Sequence, residues 1–191
     1  ENTITQAKLG LIPMTRIDDA VSRILRVKLR AGLFEKPSPA KRKFSGKVEL
    51  IGSASHREIA KQAVRESLVL LKNKNGVLPL NPTQSVLVAG SGADSIQQQT
   101  GGWTLSWQGN DNKNEEFENA DTILDGLEEA IKSGGGNVIF SEDASALNQA
   151  TNKPDVALVV FGEQPYAEYV GDVSDLVYEF SDGENLQLIK K

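Results

Sequence analysis

The sequence predicts an α/β fold in which a mostly parallel sheet is sandwiched by helices. Three observations carry this. Short apolar runs rich in β-branched residues recur as "SVLVAG" (85–90), "NVIF" (137–140) and "DVALVVF" (155–161). Segments of helical periodicity separate them, and strands alternating with helices are the signature of a parallel sheet covered by its crossover connections. A Pro- and Lys-rich stretch then divides this pattern from an isolated helix nearer the N-terminus.

That first helix is read over "TRIDDAVSRILRVKLRAGLF" (15–34), where Ile17, Ala20, Val21, Ile24, Leu25 and Ala31 recur at helical spacing. Thr15 is the expected N-cap, with Asp18 three residues on. Arg26, Lys28 and Arg30 suit the negative end of the helix dipole, and Gly32 is the expected stop. "EKPSPAKRKFSGK" (35–47) has the composition of an exposed linker. A second helix is expected in "SASHREIAKQAVRESLVLLKN" (53–73), opened by a capping box from Ser55 to Glu58, and its "SLVLLKN" end reads as a strand. His56 lies in its first turn in a solvated or capping role.

After the strand "SVLVAG", "GSGADS" (90–95) lacks both the third glycine of a dinucleotide fingerprint and the Lys of a P-loop, so it reads as a tight turn. "DTILDGLEEAIKSGGG" (121–136) is a helix capped by Asp121 or Thr122 and stopped by its glycines. A short helical patch, "EDASALNQA" (142–150), precedes the last strand, and "SDGENLQLIKK" (181–191) resembles the opening of a further helix with no strand after it. The α/β unit is therefore expected to be truncated at its C-terminus.

Composition narrows the chemistry. The 191 residues are 39% hydrophobic and carry a net charge of −5, which disfavours a nucleic-acid or anionic-membrane surface. With no Cys and a single His, thiolate and His-cluster metal sites, thiol nucleophiles and a Ser/His/Asp triad are all disfavoured, and no metal or cofactor is expected. No apolar run reaches the roughly 20 residues a membrane helix requires.

Two segments carry candidate chemistry. "GGWTLSW" (101–107) places Trp103 and Trp107, the only two tryptophans, four residues apart. On a helix or a strand that spacing puts both indoles on one side. They serve either as core anchors or as an apolar slot for the C–H faces of a sugar ring, and the polar segments around them favour the surface. "GEQPYAE" (162–168) leaves the last apolar run at the carboxyl end of its strand, where open α/β sheets carry their sites. Glu163 and Glu168 are there either as solvated loop charges or, with Tyr166, Gly171 and Asp172, as one wall of a polar pocket.

Taken together, "RIDDAVSRILRVKLRAGLFE", "AVRESLVLLKNKNGVLPL", "VLVAGSGAD", "TGGWTLSWQG", "TILDGL" and "VVFGEQPYAEYVGD" resemble glycoside hydrolase family 3, in its exo-β-glucan glucohydrolase and β-glucosidase branch. The resemblance runs in unbroken order along nearly the whole chain. It implies a (β/α)8-type barrel followed by an α/β sandwich. Residues 1–35 then correspond to the end of the barrel domain, 36–52 to the interdomain linker and 53–191 to the front of the sandwich domain.

The resemblance also implies a retaining mechanism with Glu168 as general acid/base, Trp103 and Trp107 as the sugar clamp, and Glu163, Tyr166 and Asp172 in support. A protonated Glu168 near neutral pH is then expected, promoted by partial burial and by the charge of the nucleophile. The family nucleophile, an Asp in an "SDW"-like segment, has no counterpart here, because Asp18 and Asp19 lie in the first helix. The chain alone is accordingly expected to be inactive and to depend on its barrel domain. The implied substrates are β-glucans or cello-oligosaccharides, in the periplasm or outside the cell. Related β-xylosidase activity belongs to the same family, whereas the N-acetylglucosaminidase branch often lacks the Glu168 segment. The competing reading is a non-catalytic α/β module that binds a sugar through the tryptophans or a nucleotide through the Gly-rich turn.

Overall fold

The computed structural model describes residues 2–149, 151–176, 178 and 188–190. They divide into two compact units, 1–68 and 69–191.

The first unit contains α1 (Asn2–Lys8), α2 (Met14–Arg30) and α3 (Ala54–Ser67). The cationic end of α2 closes as its sequence predicts: Gly32 takes φ +62°, its N–H reaches the Leu29 carbonyl and the Leu33 N–H reaches that of Lys28. This pair of bonds is the Schellman closure, for which glycine is preferred because a Cβ disfavours that φ. The opposite end departs from expectation. Pro13, not Thr15, occupies the N-cap position with no side-chain cap bond, since proline is preset for the entry to a helix and offers no acceptor.

Likewise α3 starts at Ala54 after Ser53, without the Ser55–Glu58 capping box; Ser55 lies inside the first turn, where its hydroxyl instead meets that of Ser53 at 3.3 Å. The "SLVLLKN" segment is irregular rather than a strand, and Leu68 to Leu71 are exposed. Among the described residues no neighbouring strand pairs with it, and apolar β-propensity alone does not make a ladder.

The second unit is built on a sheet of three parallel strands, β1 (Ser85–Ala89), β2 (Asn137–Phe140) and β3 (Val156–Val159), in the order β2-β1-β3. Central β1 is covered on both faces. Val86 and Val88 pack with Ala93, Leu124 and Ile131, whereas Leu87 and Ala89 pack with Ala144, Ile139 and Leu147. Alternate residues of a strand point to opposite faces, so a strand buried on both must be apolar throughout, as "SVLVA" is. Each fully buried Val or Leu stabilises the fold by roughly 1.5–3 kcal/mol.

Helix α5 (Ile123–Ser133) supplies one cover. Thr122 caps it by accepting from the Asp125 N–H at 3.0 Å, while Asp125 accepts from the Thr122 N–H at 2.8 Å. The "EDASALNQA" patch contains a 3₁₀ turn, Ser145–Asn148, on the other face. Of the expected helix at 181–191, residues 188–190 are helical and 181–187 and 191 lie outside the described residues.

Because all three strands run parallel, β1 and β3 deliver their carboxyl ends to the same edge. There the chain comes into backbone contact: a Cβ on Gly90, at φ +94°, would stand 2.1 Å from the Val160 carbonyl oxygen. The expected tight turn at 90–95 is present, and three of its amides already have partners. Gly90 N–H donates to Glu142, Gly92 N–H to Val160 and Ala93 N–H to Gly90, at 2.8, 3.1 and 3.2 Å.

Candidate active site

Two loops from that edge meet. One is residues 102–109, which follow the short helix α4 (Ile96–Thr100); the other is residues 162–172, which follow β3. The first is neither helix nor strand, so helical or strand spacing does not place its indoles. Trp103 and Leu105 both take positive φ, 58° and 57°, and the Trp103 N–H closes the loop on the Trp107 carbonyl at 2.9 Å. Asn112 ties it down by donating to the Thr104 carbonyl at 2.7 Å, and the Ser106 hydroxyl donates to Asp111.

This closure brings both indoles to one carboxylate. Trp103 Nε1 and Trp107 Nε1 donate to the same oxygen, Glu168 Oε2, at 3.0 and 2.8 Å. Ring centroids lie 6.1 Å apart with planes tilted by 45°, and Tyr169 packs edge-on against Trp107 at 5.7 Å. The indoles therefore touch as an aromatic pair instead of framing a gap one ring wide. Trp103 is 70% and Trp107 45% exposed, which rules out the core-anchor reading and leaves apolar ring faces open to a ligand.

Glu168 itself is exposed, contrary to the expected partial burial. The Trp107 indole N–H is the main cause that holds its carboxyl below the ordinary value of 4.5, reinforced by a backbone hydrogen bond and, less strongly, by Trp103. Two donors on one oxygen favour the anion, so this arrangement presents a base, not a stored proton.

The other expected residues are placed around it. Glu163 accepts from the Tyr166 hydroxyl at 2.9 Å, and this bond, with the charge behind it, raises the Tyr166 phenol above 10.0. Asp172 Oδ2 accepts from the Tyr169 N–H at 3.2 Å, which stabilises the turn immediately after Glu168, where Tyr169 takes φ +72°. Glu163 and Asp172 thus shape the loop without touching the indoles. Asp19 on α2 is engaged by Arg23 at 3.0 Å. Among the described residues no group of three or more His, Cys, Asp or Glu could hold a metal ion, and no helix is long and apolar enough to cross a membrane.

Sequence reasoning missed the residues that join the loops. Gln108 accepts from the Ala167 N–H at 2.7 Å and donates to the Glu168 carbonyl at 3.0 Å. The Gln97 and Gln164 amides meet at 3.1 Å. A Cβ on Gly102 would fall 2.3 Å from the Tyr166 carbonyl oxygen, so glycine at 102 permits main chain to approach main chain. The only signal for Gln108 was its place directly after Trp107 in "GGWTLSWQG".

Comparison with known proteins gives the family. The family model for the glycosyl hydrolase family 3 C-terminal domain matches residues 68–191. The chain belongs to glycoside hydrolase family 3. Within that family it is similar to the exo-1,3/1,4-β-glucanase of a Pseudoalteromonas species, with a TM-score of 0.89 and 46% identity over 99% of this chain and 23% of the solved one. It is 36% identical to the lysosomal β-glucosidase of Dictyostelium discoideum over 87% of its own length, and 33% identical to the periplasmic β-glucosidase of Salmonella typhimurium over 74%. It spans only 22% and 18% of those two relatives. The α/β fold and the family expected from the sequence are thus both established, and the family match begins beside the division between the two compact units.

Proposed function

We propose that this chain is the part of a retaining, exo-acting β-glucosidase or β-glucan glucohydrolase that supplies the general acid/base, Glu168, and the tryptophan surface for the sugar, Trp103 and Trp107. The observation that carries the reading is the convergence of both indole N–H groups on Glu168 Oε2. One carboxylate held in a fixed place beside exposed aromatic faces is what acid/base chemistry on a pyranoside requires. Relatives named β-glucosidase and exo-1,3/1,4-β-glucanase support the substrate class, β-glucans and cello-oligosaccharides.

In this mechanism a carboxylate nucleophile from the barrel domain bonds to the anomeric carbon as the glycosidic C–O bond breaks. Glu168 gives its proton to the departing oxygen. Water then attacks the glycosyl-enzyme, and Glu168 takes up the proton that water releases. The two carboxyl groups must stand about 5–5.5 Å apart for this.

Glu168 in its exposed setting favours the anion, so its acid role requires a second influence. A neighbouring negative nucleophile and exclusion of water by the sugar both push a carboxyl up. When the nucleophile's charge is consumed in the covalent intermediate, the indole donors favour the anion again, which is the form the second step needs. On this reading residues 1–35 close the barrel domain, 36–52 link the domains and 53–191 begin the sandwich, with Glu163, Tyr166 and Asp172 supporting the loop. The relative called periplasmic supports action in the periplasm or outside the cell, and another relative is called lysosomal.

The test is Glu168→Gln in the full-length enzyme, assayed on an aryl β-glucoside whose leaving group needs no protonation. A burst followed by a stalled glycosyl-enzyme, released by azide as β-glucosyl azide, is expected. Unchanged steady turnover on that substrate and on cellobiose would remove Glu168 from the chemistry. The 191-residue chain alone is expected to show no hydrolysis of the same substrate.

A further inference from the structure

We infer that Gln108 is a positioning residue for Glu168, gripping its main chain while the adjacent Trp107 holds its side chain. The inference rests on the acid/base reading above. Glu168 is exposed, so burial does not immobilise it, and a glutamate side chain has costly rotamer freedom to lose. Beyond the backbone hydrogen bond noted above, its position is set by hydrogen bonds from one short segment, residues 103–108.

The two indoles fix Oε2. The Gln108 side-chain amide fixes the backbone on which that carboxylate is mounted, with Oε1 on the Ala167 N–H and Nε2 on the Glu168 carbonyl. A primary amide offers one acceptor and two donors in a plane, so a single glutamine satisfies both main-chain groups as a neighbouring strand would. Carboxylate and backbone are therefore held from consecutive residues, and the loops shift together or not at all.

The experiment uses the full-length enzyme carrying Gln108→Met, which keeps the length of the side chain and removes the clasp. kcat/KM is measured on 2,4-dinitrophenyl β-glucoside, whose leaving group needs no acid, and on cellobiose, whose leaving group does. The expected result is a selective loss on cellobiose of about 10–100-fold, part of the roughly 10²–10⁴ that a positioned general acid supplies, with the dinitrophenyl substrate nearly unchanged. Gln108→Glu, which retains an acceptor for the Ala167 N–H, is expected to recover part of the loss.

Equal losses on the two substrates, or a fall in thermal stability alone, would reduce Gln108 to a structural contact and overturn the inference. Should Gln108→Met fail to fold, Gln108→Asn, one methylene too short to span both main-chain groups, is read in the same way. Glu168→Gln assayed in parallel separates the two levels. A substrate split there without one at Gln108 defeats only the clasp, whereas no split at Glu168 defeats the acid/base reading and the clasp with it.

Discussion

Strand β1 and the loop pair beyond the sheet edge are ordered by opposite means. In β1, Val86, Leu87 and Val88 are almost wholly removed from water, and their positions follow from burial, which is non-directional and tolerant of the particular partner. In the loops, Trp103, Trp107, Glu168 and Tyr169 are all exposed. Their positions follow from directional bonds between side chains and main chain, and from glycines that let two backbones touch. The difference teaches that the sheet provides stability and the loops provide geometry. Damage to each should therefore register in a different measurement.

Removing the core support should produce the largest effect. Leu87→Ala deletes buried methyl groups from the central strand, and an unfolding free-energy loss of about 2–5 kcal/mol is expected in urea titration of the chain. A loss well under about 1 kcal/mol would mean that β1 does not anchor the unit.

Gly102→Ala tests the loops instead. Its new Cβ meets the Tyr166 carbonyl oxygen, a backbone atom with no rotamer to change, and clashes of this kind cost about 1–3 kcal/mol. The loops should separate. Loss of the indole contacts to Glu168, read as a change in tryptophan fluorescence, is expected while the sheet signal in circular dichroism persists. Unchanged fluorescence would show that the close approach is dispensable.

The smallest effect concerns charge. Trp107→Phe removes the stronger indole donor, so the Glu168 carboxyl should titrate closer to its ordinary 4.5 in carbon-13 NMR. A carboxyl depressed in the folded state lends stability above its unfolded value, and that contribution disappears as pH falls through the folded value. The variant should flatten this acid limb. An unaltered titration would assign the depression to the backbone and Trp103.

How much was legible follows from the same contrast. Apolar runs located β1, β2 and β3, and helical periodicity located α5, because burial of a strand or helix face leaves a trace in the sequence; α2 was located by the same periodicity, although its stripe residues Val21, Ile24 and Leu25 are exposed. The Thr122 cap was legible too, being encoded within one turn of the helix it opens. The N-cap expected at Thr15 and the capping box expected at Ser55 fit the same pattern and do not form, because Pro13 and Ser53 begin those helices earlier. Glu168, Trp103 and Trp107 were singled out by residue type and resemblance, and the exposure of all three was only half anticipated. Gln108 left no trace beyond its place after Trp107, since a glutamine that bonds main chain some 59 and 60 positions away looks like any polar loop residue.

The sequence by itself determined the α/β class, the family and the identity of the residues with chemistry to offer, because these depend on local pattern and side-chain type. Tertiary structure alone decided that both indoles point their N–H groups at one oxygen, that these bonds pull the Glu168 carboxyl below its ordinary value, and that Gln108 clasps its backbone. Each of these is a contact between segments about 60 residues apart, and such contacts come into being only when the parallel sheet brings two loops to a common edge.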